Sequence, residues 1–156
     1  VFSGTVLDNI RFSRPEATPQ EVAEIAREME IDAMIRRMPQ GYDTEIGERG
    51  SSLSLGQKQL IAFARALLRD PAILVLDEAS SYLDSRTEEL VQRAMARLSH
   101  GRTTFVIAHR LATIRDADTI LVMNDGRIVE RGNHRDLVAR EGHYAELLRT
   151  QYAAAP

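Results

Sequence analysis

Two adjacent carboxylates, Asp77 and Glu78, close the aliphatic run Ala72-Ile73-Leu74-Val75-Leu76. Such a run suits a strand buried on both faces, as in a parallel sheet. In open α/β sheets, ligands bind beyond the carboxyl ends of the strands. Paired carboxylates there suit a magnesium-assisted reaction on a phosphate. One can hold Mg²⁺ directly or through water, and the other can orient or deprotonate an attacking water. An Asp-Glu pair can equally do no more than cap the following turn. His109 ends a second apolar run, Thr103 to Ala108. If the two strands are parallel neighbours, its imidazole points to the same crevice and can donate to a phosphate oxygen. The plain alternative is a polar strand-end histidine. His100, His134 and His143 fall in loop or surface-helix contexts and receive no role.

A third group is Leu53-Ser54-Leu55-Gly56-Gln57-Lys58-Gln59, at the start of a helical pattern. A helix N-terminus offers free N–H groups and a partial positive charge to an anion. Gly56 permits close backbone approach and Ser54 adds a hydroxyl. An ordinary serine-capped helix start has the same sequence. Ser81-Tyr82-Leu83-Asp84 follows the carboxylate pair and reads as a loop into the next helix, with Asp84 or Ser85 as its cap.

The elements that must position these residues are legible from periodicity and capping. Thr5 is placed to cap a short helix through Ile10, after a turn at Phe2-Ser3-Gly4. Thr18-Pro19-Gln20-Glu21 combines a cap, a first-turn proline and a capping-box acid, predicting a helix to about Met29. A second short helix covers Ile31 to Arg37 and breaks at Met38-Pro39-Gln40-Gly41. From Gly56 to Leu68, the residues Leu60, Ile61, Ala64, Leu67 and Leu68 share one face, and Asp70-Pro71 ends the helix. Ser85-Arg86-Thr87-Glu88 reads as a capping box before the helical set Leu90, Val91, Ala94, Met95 and Leu98. A short helix near Ala112 to Arg115 precedes a strand from Thr119 to Met123. Asn124-Asp125-Gly126-Arg127 is a hairpin turn leading to Ile128 to Arg131. Helices near Arg135 to Ala139 and Tyr144 to Thr150 complete the pattern. Strands alternating with helices predict an α/β layer, preceded by a helical region.

The 156 residues carry 20 Lys plus Arg and 23 Asp plus Glu, a net charge of −3. That balance leaves no electrostatic footprint for nucleic acid, and Arg36-Arg37 is too short to form a basic patch. With no cysteine, disulfides and thiolate metal sites are excluded. No apolar run approaches the roughly 20 residues of a membrane span.

Taken together, the motifs resemble the ATP-binding-cassette family, and the resemblance extends over essentially the whole chain. In order, Leu53-Ser54-Leu55-Gly56-Gln57 is similar to the signature motif and Ile73 to Glu78 to the Walker B strand with its catalytic glutamate. Ser81-Tyr82-Leu83-Asp84 is similar to the D-loop, and His109 to the switch histidine. Phe2 to Ile10 resembles the stretch after the Q-loop of exporter cassettes. Thr44 to Gly50 resembles the segment lying near the transmembrane coupling helices. The resemblance implies ATP and Mg²⁺ as cofactors. It implies that Asp77 helps hold Mg²⁺, that Glu78 is the general base or water-orienting residue, and that His109 contacts the γ-phosphate. It also implies that Ser54, Gly56 and Gln57 contact ATP held by a second nucleotide-binding domain, and that Asp84 lies at the interface of that dimer. The expected location is the cytoplasmic face of a membrane.

Three positions depart from the family's pattern. Leu55 stands where glycine is usual, Tyr82 where a small residue is common, and Ser80 where threonine is frequent. No Gly-x-x-x-x-Gly-Lys-Ser/Thr phosphate-binding loop occurs in the chain. The expected architecture is therefore a helical subdomain at residues 1–70, including the signature motif. The C-terminal half of a P-loop NTPase (RecA-like) core with a mainly parallel sheet follows at 71–156. The chain alone is expected to be inactive in ATP hydrolysis, since phosphoryl transfer depends on the missing loop's positioning and charge. The alternative reading is a non-enzymatic interaction module. A chromosome-maintenance ATPase head shares the motifs but carries long coiled coils, and no sustained heptads separate Gly4 from Leu53.

Overall fold

The computed structural model describes residues 1–77, 84–108 and 114–153. The first element is a two-residue strand β1 (Gly4–Thr5), paired antiparallel with β2 (Glu45–Ile46). The sequence reading of Phe2-Ser3-Gly4 as a turn missed this bridge. It ties the N-terminal segment to the loop before the signature motif, and Val6 N–H donates to Thr44 O at 3.1 Å. Helix α1 (Val6–Arg11) starts at Thr5, whose hydroxyl accepts from Asp8 N–H at 3.0 Å.

Helix α2 (Pro19–Glu28) begins with the Thr18/Glu21 capping box and Pro19 in its first turn, and α3 (Asp32–Arg36) follows. Between them Glu30 adopts φ 61°. This corner is held by α5 (Ser85–Ser99): Arg97 donates to Glu28 O and pairs with Glu30, and Arg93 pairs with Glu30 at 3.2 Å. The long helix α4 (Leu55–Arg69) buries Leu60, Ile61, Ala64, Leu67 and Leu68, the face its periodicity dictates. Asp70, left-handed at φ 52°, ends it. Val6, Ile10, Val22, Ala26, Ile31 and Ile35 pack into the same core, joined from α5 by Val91, Ala94 and Leu98. Each large aliphatic side chain so buried contributes about 1.5–3 kcal/mol.

Strands β3 (Ile73–Asp77) and β4 (Thr103–Ile107), joined through α5, are neighbours in one small sheet. A strand-helix-strand crossover of this kind is the connection a parallel pair requires. The expectation that both strands are buried on two faces is corrected. Leu74 is buried, but Ile73 and Val75 are 62% and 68% exposed, and Phe105 and Ile107 are 55% exposed each. These four side chains stand largely in solvent. The cap of α5 is Asp84 rather than Ser85. Asp84 is extended and its carboxylate accepts from Thr87 N–H at 3.0 Å, which makes Ser85 the first helical residue.

The chain divides into two compact units. One takes Val1–Val75 with α5 and the start of β4, and the other takes Leu76–Asp77 and the chain from Val106 onward. In the second unit, β5 (Ile120–Asn124) and β6 (Arg127–Gly132) form an antiparallel hairpin with a register shift at Val122/Met123. The turn is made by Asp125 and Gly126, both at positive φ. Helices α6 (His134–Ala139) and α7 (His143–Ala153) pack on it around Ile120, Val122, Leu137, Tyr144 and Leu148. Glu130 on β6 caps α7, accepting from His143 N–H at 3.0 Å and Tyr144 N–H at 2.9 Å.

Candidate functional site

The N-terminus of α4 carries the features of an anion site. Ser54 is extended, and its hydroxyl oxygen accepts from Gln57 N–H at 3.2 Å, while Gln57 Oε1 accepts from Ser54 N–H at 2.9 Å. These reciprocal bonds use the acceptors of both side chains. The Ser54 hydroxyl proton and the Gln57 amide NH₂ are left as donors. The N–H groups of Leu55 and Gly56 lie in the first turn and have no preceding helical carbonyl to bond. Gly56 is buried and Leu55 is 46% exposed.

Charge sharpens the contrast with the rest of the fold. Helices α1, α2, α3, α5, α6 and α7 each place an acidic residue in the first turn, namely Asp8, Glu21, Asp32, Glu88, Asp136 and Glu146. Helix α4 has none there. The positive end of its dipole therefore has no carboxylate of its own first turn beside it, the electrostatic condition that favours an anion there.

Ser54 and Gln57 open onto a cleft of about 780 Å³, whose walls include Met34, Leu53, Arg86 and Thr87. Arg86 and Thr87 lie two and three residues after Asp84, so residues just beyond the predicted D-loop share a cleft with the predicted signature residues. Asp84 itself is exposed, and the Thr87 side chain and backbone hydrogen bonds hold its carboxyl below the usual carboxylate range. Asp77 is exposed at the end of β3. Among the described residues no three acidic or histidine side chains cluster as a ready-made metal cage. A lone carboxylate still fits Mg²⁺, which is commonly held by one or two carboxylates with phosphate oxygens and water. Glu78, His109 and the loop residues Ser81, Tyr82 and Leu83 lie outside the described residues. The same holds for Ala112 and Thr113, the first half of the helix expected from Ala112 to Arg115.

A second surface was missed by sequence reasoning. Phe2 and Phe12 stack with ring centroids 4.5 Å apart and remain 47% and 60% exposed. Beneath them lies the half-buried Arg65 of α4, its guanidinium carbon 4.7 Å and 5.6 Å from the two ring centroids. Arg65 Nε donates to Asn9 O at 2.7 Å and Nη2 to Asn9 Oδ1 at 3.1 Å. Asn9 is buried, accepts from Phe2 N–H at 2.7 Å, and donates to Phe2 O and Thr5 O. The available signal was a charged residue set between the core residues Ala64 and Leu68 on the apolar side of α4.

The sequence profile of the ABC transporter family matches residues 3–81. An uncharacterized ABC transporter ATP-binding protein of Bacillus subtilis, YknV, is 52% identical over 99% of this chain and 26% of its own length. A fatty acid ABC transporter ATP-binding/permease protein of Mycobacterium bovis is 52% identical over 96% of this chain and 24% of its own. The mitochondrial potassium channel ATP-binding subunit of Homo sapiens is 51% identical over 100% of this chain and 21% of its own. The solved structure of a bacterial Atm1-family ABC exporter with ATP bound superposes with a TM-score of 0.88. It is 48% identical, and the match covers all of this chain and 27% of that one. The chain thus spans about a quarter of the length of these relatives. With the signature helix, the strand ending in Asp77 and the profile match all agreeing, the chain belongs to the ABC transporter family, as part of its ATP-binding cassette.

Proposed function

We propose that this chain is the C-terminal part of the nucleotide-binding domain of an ABC exporter, which in the complete protein binds and hydrolyses ATP in a cassette dimer to drive export. The observation that carries the reading is the α4 N-terminus, with outward donors on Ser54 and Gln57 and no acid in its first turn. In this reading Ser54, Gly56 and Gln57 donate to ATP held by the second cassette. Glu78 orients or deprotonates the attacking water, and His109 donates to the γ-phosphate. Asp77 helps hold Mg²⁺, which when bound neutralises phosphate charge. Asp84 lies at the dimer interface. The exposed Phe2/Phe12 pair and the segment Thr44 to Gly50 receive the coupling helices of a membrane domain, placing the chain at the cytoplasmic membrane face. No partner role for nucleic acid is assigned. The relatives' names range from a fatty acid ABC transporter to a mitochondrial potassium channel subunit, so no substrate is carried over.

The test separates folding from nucleotide contact. Aspartate is among the best helix caps and favours the positive end of the dipole, so Ser54→Asp keeps α4 intact while setting a negative charge against phosphate. In the complete transporter it is expected to retain wild-type thermal stability and to lose ATP turnover, as is Glu78→Gln. Wild-type turnover in Ser54→Asp overturns the reading. The 156-residue chain, which contains no P-loop, is expected to show negligible turnover by itself.

A further inference from the structure

The strongest feature outside the anion site is the clamp beneath the exposed aromatic pair. Arg65 and Ser54 belong to the same helix, separated by about three turns, or roughly 16 Å along its axis. It is one continuous helix with a face buried in the core, the kind of rigid element that can carry coupling between two sites. At its Ser54 end it offers donors to a phosphate. At Arg65 it grips the segment before it: two hydrogen bonds to Asn9, contact with both rings, and a bond from the Ser13 hydroxyl to Arg65 O at 3.0 Å. Asn9 in turn holds both the N–H and the C=O of Phe2. The planar guanidinium spans two acceptors on one residue while its face lies under aromatic rings, a geometry that an ammonium cannot reproduce.

We propose that Arg65 is a positioning residue that links the aromatic surface of Phe2 and Phe12 to the signature helix, so that a change at the nucleotide is felt at that surface, and the reverse. The inference rests on the reading of the α4 N-terminus as an ATP contact. It adds a physical connection: one continuous helix with the nucleotide donor set at its start and a two-bond grip on the segment Phe2 to Phe12 farther along.

The experiment is hydrogen–deuterium exchange on the complete transporter, with and without Mg²⁺–ATP, following peptides that cover 53–60 and 2–12. In the wild type, ATP is expected to slow exchange in both. Arg65→Lys keeps the charge and the aliphatic stem but cannot bridge Asn9 O and Oδ1. It is expected to keep the response at 53–60 while the response at 2–12 falls to less than half. Arg65→Ala is expected to abolish the response at 2–12. A full-sized response at 2–12 in Arg65→Lys overturns the link. Loss of both responses in Arg65→Lys also overturns it, by making the residue merely structural. If ATP slows 53–60 but not 2–12 in the wild type, the link fails and the ATP contact stands. If ATP slows neither, the ATP contact itself fails.

Discussion

Replacing Asn9 by alanine tests how the N-terminal segment is held to α4. Asn9 is 2% exposed and makes four hydrogen bonds through its side-chain amide. Truncation leaves Phe2 N–H, Phe2 O, Thr5 O and one Arg65 N–H without that partner. A buried polar group left unsatisfied costs about 1–3 kcal/mol. Phe2 is 47% exposed and Arg65 half-buried, so water can reach part of what they lose. Thr5 is half-buried and its carbonyl, at the N-cap, keeps the first helical bond of α1, so the cost is partial at each group, and the cavity left by a side chain 2% exposed adds to it. The sum is about 2–4 kcal/mol, which for a chain of this size lowers the melting temperature by about 6–12 °C. Asn9→Asp retains both accepted bonds, from Phe2 N–H and Arg65, but loses both donated ones and sets a carboxylate against two carbonyls. It should fall between wild type and Asn9→Ala. Urea unfolding of the three proteins, followed by far-UV circular dichroism, measures the differences. A loss below about 1 kcal/mol in Asn9→Ala, at unchanged m-value, would refute the clamp as a stabilising unit.

Three further outcomes follow from other parts of the fold. A Cβ on Gly142 would meet Glu130 Oε1 at 1.8 Å. Gly142→Ala should therefore push Glu130 off the α7 N-terminus and cost about 1–2 kcal/mol, the range of a lost cap, as read by thermal unfolding. The hydrogen bonds from Thr87 depress the Asp84 pKa. A carboxyl depressed on folding adds stability above its unfolded value and loses it as pH falls through the folded one. Asp84→Ala should flatten that part of the acid limb of a stability–pH curve, leaving the curve parallel to wild type near neutrality. The exposed apolar side chains of Ile73, Val75 and Phe105 should make the isolated chain self-associate. Val75→Thr with Phe105→Thr should reduce association in light scattering while shifting stability by less than about 1 kcal/mol, since both side chains are largely in water already.

Local chemistry was the most legible part of the sequence. Thr5, Thr18 and Ser54 cap their helices as their spacing to Asp8, Glu21 and Gln57 dictates, because a capping box is decided within four residues. The face of α4 was equally plain, since Leu60, Ile61, Ala64, Leu67 and Leu68 repeat at the helical period. Ser85 was misassigned because Asp84 and Ser85 are both competent caps, and only the backbone conformation chooses between them. Nothing local distinguishes a strand buried twice from one buried once. The run Ala72 to Leu76 has the composition of the first, yet Ile73 and Val75 are exposed. Nor could periodicity reveal that Asn9 and Arg65 meet, because their bond joins residues 56 apart in sequence.

Ser54 and Gln57 show why capping leaves the same side chains able to donate to the proposed ligand. A serine at an N-cap accepts one hydrogen bond from the helix, and its own proton is not consumed by capping. A glutamine three residues later accepts with its oxygen and keeps its NH₂. Had the third residue been glutamate, as at α2, the box would close equally well. It would then bring a carboxylate to the helix start and leave no second donor. In α2 that arrangement is used in full: Glu21 accepts from Thr18 and pairs with Arg14. In α4 glutamine keeps the mechanical function of the box without its charge, and the first turn is otherwise free of acid. Stability alone would favour an acid at this position, because it complements the helix dipole. Its absence from α4, against its presence in each of the six other α-helices described, leaves the start of α4 without a compensating carboxylate of its own, as the proposed contact with phosphate requires.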